Sequence, residues 1–279
     1  MEQPQPETAT ALVCGAALSV TAEELDLAGV EVKDPAAFTA LSQVVNLQKI
    51  TLSKITFADA GWDGLLTGIK AGARLTHLSL TACGLGPKHA ADLADVFSSG
   101  GCNIDTLCLA KNGLTGATFY SSGNVRDGVD SNLDGITTLL AALKTSQVIC
   151  IDFSGCGLGP LGASSVADYV RDAIASLTSL RCGSNPGMVG ELDEYGHLKT
   201  PDVHIEALQQ LLDALKPSAV TDLDISDIGI GPTGAGRVAD YVRDAKGSLT
   251  KVVITGARIG QHDVAALRSA APPGCEVVW

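Results

Sequence analysis

Aromatic side chains are scarce in this chain, at 4% of 279 residues, so few large anchors are available either for a core or for an interface. Basic residues are also in deficit, with 19 Lys and Arg against 31 Asp and Glu and a net charge of −12. Phosphate backbones are held by clustered Lys and Arg, so nucleic acid is not an expected partner. A protein with a basic surface is the partner the charge favours.

None of the eight cysteines stands in a CxxC pair, and the histidines at 77, 89, 197, 204 and 262 lack metal-ligand spacing. The thiols are therefore expected to be mostly free, which points to a reducing compartment: the cytoplasm, with the nucleus as the alternative. The apolar stretch ALVCGAALSV has no Lys or Arg ahead of it and is too short to span a bilayer, so neither a secretory signal nor a membrane association is expected. A nucleophile elbow, a Walker loop, an HExxH pair and a glycine-rich dinucleotide turn are all missing, so no catalytic residues are nominated.

What the chain does have is internal repetition. In LTHLSLTACGL, apolar residues stand at offsets 0, 3, 5, 8 and 10, as Leu75, Leu78, Leu80, Cys83 and Leu85. The frame recurs from residues 22, 47, 75, 104, 148, 177, 220 and 249, eight times in all. Offsets 3 and 5 alternate as a short strand requires and point inward, while offsets 2 and 4 face outward. An Asn or Cys at offset 8 sits where the chain leaves the strand, and an Asn there can satisfy turn backbone. The turns GLGP and GIGP then lead into helices with an apolar stripe such as Ala163, Val166, Ala167 and Val170.

This frame resembles the leucine-rich repeat, LxxLxLxx(N/C)xL. The spacing of 28 to 29 residues resembles the ribonuclease-inhibitor-like subclass, which includes repeat regions of NOD-like receptors, Ran GTPase-activating protein and tropomodulin. The resemblance covers about residues 20 to 279. It implies an α/β solenoid, a horseshoe with a parallel sheet on the concave face and helices on the convex face. Residues 1–21 are expected to form a tail and capping helix, 22–279 a single repeat domain, and 274–279 a closing strand.

Steps between the repeat starts run 25, 28, 29, 44, 29, 43 and 29, so units of 28–29 residues alternate with units of 43–44. The octapeptide VADYVRDA at 166–173 accordingly returns unchanged at 238–245, and LLAALKTS at 139–146 returns as LLDALKPS at 211–218. Within VADYVRDA the core positions are Val166, Ala167 and Val170, the surface positions Asp168, Arg171 and Asp172, and Tyr169 lies at the margin.

The additional residues form two insertions, 116–135 and 187–204, on one rim two repeats apart. Phe119, Tyr120, Arg126, Glu191, Tyr195 and His197 are their candidate partner-binding residues. The bland alternative is a pair of solvated spacers, because long surface loops cost little. Asp130, Asn132 and Asp134 reproduce the opening of a calcium loop without its bidentate Glu, so calcium is a secondary expectation and otherwise no cofactor is foreseen. The plainer reading is that Asp134 caps the following helix.

On the concave face the candidates are His77, Cys108, Asp152, Arg181, Asp222 and Asp224. Asp152, Arg181 and Asp224 share offset 4 on consecutive strands, which makes either an acidic patch for a basic partner or a cross-strand ion-pair ladder. The function these features favour is a non-catalytic, monomeric scaffold that binds a protein through the concave sheet, the rim insertions, or both. By resemblance alone, the alternatives are a regulator of an enzyme, whether inhibitor or GTPase activator, and a stand-alone relative of immune-receptor repeats.

Overall fold

Offset 2 of every repeat becomes one row across a single sheet. A computed structural model of the protein describes residues 23–29, 31–32, 38, 46–99, 102–173, 177–245 and 249–279. In chain order the elements are β1 (Glu24–Ala28), β2 (Glu31–Val32), β3 (Lys49–Ser53), β4 (Thr56–Phe57), α1 (Asp59–Ala71), β5 (His77–Thr81), α2 (Pro87–Ser98), β6 (Thr106–Cys108), β7 (Thr118–Phe119), β8 (Val125–Asp127) and α3 (Asp134–Leu143). They continue as β9 (Cys150–Asp152), α4 (Pro160–Asp172), β10 (Ser179–Arg181), β11 (Glu191–Leu192), β12 (Leu198–Thr200), α5 (Ile205–Leu215), β13 (Asp222–Asp224), α6 (Pro232–Asp244), β14 (Lys251–Val253), α7 (Gln261–Ala270) and β15 (Glu276–Val278).

The main sheet has nine strands in the order β1-β3-β5-β6-β9-β10-β13-β14-β15, every pairing parallel. Its register joins Glu24, Lys49, His77, Thr106, Cys150, Ser179, Asp222, Lys251 and Glu276. As far as Lys251 that row is offset 2 of the eight repeats, and Glu276 of the closing strand continues it, so the register read from the sequence is correct, although Ser79 at offset 4 is buried at 8% exposure. Helices need about 10 Å of width and strands about 4.8 Å, so the helix-covered side is the convex one. The expected tail and capping helix at 1–21 lie outside the described residues.

Beneath the sheet, offset 3 supplies Ile50, Leu78, Leu107, Ile151, Leu180, Leu223 and Val252, and offset 5 supplies Leu52, Leu80, Leu109, Phe153, Cys182, Ile225 and Ile254, all buried. Offset 8 supplies the turn chemistry. Asn112 accepts from the amides of Cys83 (2.9 Å) and Leu85 (3.1 Å) and donates to the carbonyls of Leu80, Leu109 and Ala110. Asn185 repeats this on Leu158, Phe153, Cys182 and Gly183. In the repeat preceding each of them, the Cys83 and Cys156 thiols donate to the carbonyls of Leu52 and Leu109. A buried turn that would otherwise strand its backbone groups is thereby satisfied.

Pro87, Pro160 and Pro232 open α2, α4 and α6 at the first helical position, where a missing N–H costs nothing. Neighbouring helices come close enough at one point to require glycine, because a β-carbon on Gly135 of α3 would stand 1.9 Å from the Pro87 carbonyl oxygen. Tyr169 and Tyr241, placed at the helix margin by the sequence, are in fact buried at 1% and 2% exposure. The helices α4 and α6 that carry them are each flanked by helices of both adjacent repeats, so their buried stripe is wider than the sheet contact alone demands. Asp168 and Arg171 remain on the surface, paired at 2.8 Å. The conserved spacing of 72 residues has a physical counterpart, since Lys144 meets Asp172 at 2.5 Å and Lys216 meets Asp244 at 3.5 Å. The two duplicated segments of each unit thus touch one another.

Helix α2 has a cap sensitive to pH. The Gly86 amide donates to Nδ1 of His89 at 3.0 Å, and the His89 ring stands edge-on to Trp62 with centroids 4.9 Å apart. Burial, reinforced by Lys88 and opposed by Asp92 and Asp59, lowers the pKa of His89. Protonation would fill the accepting lone pair, so the cap stabilises the fold above about pH 6.5, the unfolded value, and is lost as pH falls through the lowered folded value. Denaturation midpoints at pH 7.5 and 5 should therefore fall further for the wild type than for His89→Ala. Equal losses would refute the assignment.

Candidate functional site

Each insertion folds as a small antiparallel hairpin and not as an irregular loop. In the first, β7 pairs with β8 around a turn in which Gly123 takes φ +90° and donates to the Tyr120 carbonyl. In the second, β11 pairs with β12 around a turn in which Gly196 takes φ +75° and donates to the Asp193 carbonyl. Phe119 and Leu192, Gly123 and Gly196, and Val125 and Leu198 correspond at a spacing of 73 residues, so the insertions are copies of one device.

After the hairpin the chain turns back toward the helices through a residue of positive φ, Asp130 (+54°) in one copy and Asp202 (+60°) in the other, now 72 apart. Asp130, a candidate calcium ligand in the sequence, serves as a helix cap in the structure. Its carboxylate accepts from the amides of Gly159 (2.9 Å), Leu161 (2.8 Å) and Gly162 (3.1 Å), capping α4 of the next repeat. Asp202 does the same for Gly231 (2.8 Å), Thr233 (2.9 Å) and Gly234 (3.1 Å) at α6. A carboxylate on the free N–H groups of a helix start is favoured by both hydrogen bonding and the helix dipole.

Asn132 accepts from the Asp134 amide at 3.2 Å, and Asp134 begins α3 without capping it through its side chain, contrary to the sequence reading. Among the described residues, no group of three His, Cys, Asp or Glu side chains could hold a metal ion.

The two hairpins stack on one another. The Tyr120 hydroxyl donates to the Glu194 carbonyl at 3.3 Å, and a β-carbon on Gly196 would lie 1.9 Å from the Val125 carbonyl oxygen. The equivalent carbonyl of the second hairpin, on Leu198, is met by the Arg258 guanidinium, which also donates to Lys199 at 3.2 Å. Arg258 belongs to the repeat without an insertion and occupies the place a third hairpin would take. Sequence reading missed this residue, and only a comparison of repeats at the hairpin positions would have pointed to it.

The stack brings Tyr120, Glu194, Tyr195 and His197 to one tip. Tyr195 is 59% exposed and its ring centroid lies 6.5 Å from that of His197. Asp193 accepts the amides of Tyr195 and His197, both at 2.9 Å, and these bonds hold its carboxyl below the ordinary range, the His197 amide most strongly. Phe119 and Arg126 stand on the first hairpin, half-buried and exposed respectively. Glu191 is exposed and bound to Lys199 at 2.9 Å.

The concave candidates lie on adjacent strands, where, among the described residues, they form one cross-strand ion pair but not a full ladder along offset 4. Asp152, Arg181 and Asp224 are in register. Arg181 nevertheless pairs diagonally, with Asp222 at 3.5 Å. Asp152 and Asp224 turn along their own chains to accept the amides of Ser154 (2.8 Å) and Ser226 (2.9 Å). Such local bonds compete directly with cross-strand pairing. The Cys108 thiol donates to Asp152 at 3.6 Å, and burial together with the Lys49 charge lowers the pKa of His77.

The parallel sheet, the one-sided helices and the Asn and Cys ladder give the chain the architecture of a leucine-rich-repeat solenoid. Among solved structures it is similar to the leucine-rich repeat-containing protein LegL7 from Legionella pneumophila, at 16% identity and a TM-score of 0.47, over 88% of this chain and 71% of that one. No protein-family model and no curated protein matches the chain.

Proposed function

We propose that the protein is a non-catalytic interaction scaffold that engages a protein partner through the stacked hairpins on its rim. The observation that carries this is the distribution of exposed large hydrophobic side chains among the described residues. Of six, four stand on this rim: Tyr120 and Tyr195 on the hairpins, Leu161 beside the Asp130 cap and Val203 beside the Asp202 cap. A chain poor in aromatics that leaves two of its four tyrosines at one tip places its anchors where interfaces need them.

The alternation of Cys83, Asn112, Cys156 and Asn185 supports the ribonuclease-inhibitor-like subclass. Seven unpaired cysteines among the described residues support a reducing compartment, cytoplasm or nucleus. Affinity capture with the wild type and with residues 118–127 and 191–200 each replaced by a short turn tests the reading. A partner that binds the purified wild type directly and is lost from the shortened protein is the expected result. Undiminished binding after shortening would move the site elsewhere.

A further inference from the structure

We infer that the hairpin tip recognises arginine side chains of a basic partner segment, an inference that rests on the rim reading above. Three features converge. The first is flat, exposed ring surface: Tyr195 is 59% exposed, Tyr120 is 37% exposed, and His197 lies beside Tyr195. Tyrosine faces attract a guanidinium both by cation–π interaction and by stacking, which an ammonium does less well.

The second feature is charge. The hairpin segments 118–127 and 191–200 carry four acids, Asp127, Glu191, Asp193 and Glu194, against two bases, Arg126 and Lys199. Lys199 is already neutralised by Glu191 at 2.9 Å. Glu194, by contrast, uses only its backbone carbonyl, which holds Tyr120, so its exposed carboxylate is left to meet a cation beside the rings. The whole chain, at −12, attracts a basic segment from a distance.

The third feature is preorganisation. Tyr120 is tethered through its hydroxyl, and the Tyr195 turn is fixed by two amide bonds to Asp193 and by the close seat of Gly196 on Val125. Rings already held in place lose little freedom when a partner docks.

Fluorescent octa-arginine and octa-lysine, titrated against the full chain at about 0.15 M salt, separate this chemistry from plain charge attraction. Octa-arginine is expected to bind several-fold more tightly than octa-lysine. Tyr195→Ala should weaken octa-arginine about 2–5-fold and leave octa-lysine little changed, whereas Tyr195→Phe retains the preference. Glu194→Gln should weaken both. Both sites are exposed, and an unchanged denaturation midpoint for each of the three variants shows that the fold is intact.

Equal affinity for the two peptides, or a preference that survives Tyr195→Ala, would overturn the inference. If the shortened-hairpin protein loses its partner while the peptides show no arginine preference, the rim reading stands and only the partner chemistry falls.

Discussion

Asn112→Ala is expected to destabilise the protein by about 3–5 kcal/mol, a large share of what holds a domain folded. The substitution leaves the amides of Cys83 and Leu85 without an acceptor and the carbonyls of Leu80, Leu109 and Ala110 without this donor. The site is 1% exposed, so water reaches it only if the turn opens. Each stranded buried group costs roughly 1–3 kcal/mol, and partial relaxation keeps the total below the sum. Because each repeat contacts only its neighbours, the loss should appear as early opening at the third and fourth repeats. Urea denaturation followed by far-ultraviolet circular dichroism gives the total, and hydrogen exchange at the Cys83 and Leu85 amides gives the location. Asn185→Ala should behave alike. Cys156→Ala removes one weak thiol donor and some apolar volume, and should cost no more than about 2 kcal/mol. If Asn112→Ala were no worse than Cys156→Ala, the asparagine would not be the element that satisfies the turn.

The same residues show why the scaffold and the place of the rim insertions were legible and the geometry of those insertions was not. A strand with period 2 is a local pattern repeated eight times, followed three residues on by an Asn or Cys in four of the copies, so the register of offsets 2 and 4 was assigned correctly from His77 to Lys251. The hairpins escaped because β7, β8, β11 and β12 are only two or three residues long, too short for any alternation to register. Their kinship was hidden by a single residue: Gly128 and Val129 precede Asp130, whereas Pro201 alone precedes Asp202, so the spacing slips from 73 to 72. Asp130 resembled a metal ligand because its sequence neighbours carry oxygens, yet its partners lie about 30 residues further on, at Gly159 to Gly162. Tyr169 was misplaced for a related reason, since its burial depends on neighbouring helices and not on its own periodicity.

Asp202→Ala should cost about 2–3 kcal/mol and should also loosen the hairpin that carries Tyr195, so it tests the cap and the rim together. Three amides at the start of α6 lose a charged acceptor at once, and Asp202 is also the residue through which the second hairpin is tied to the next repeat. Asp202→Asn should be intermediate, because its one oxygen can replace Oδ1 toward Gly231 and Gly234 while its amide nitrogen faces the Thr233 N–H. Asp130→Ala should cost a similar amount at α4. The two caps share no partner, so the double variant should lose nearly the sum of the single losses. Denaturant midpoints measure the stability terms, and amide exchange at Asp193 and Gly196, both bonded within the hairpin turn, measures the loosening. A stability loss with unchanged exchange at the tip would confine Asp202 to a helix cap. The hairpin would then owe its place to Arg258, to the Tyr120 hydroxyl on Glu194 and to the seat of Gly196 on Val125.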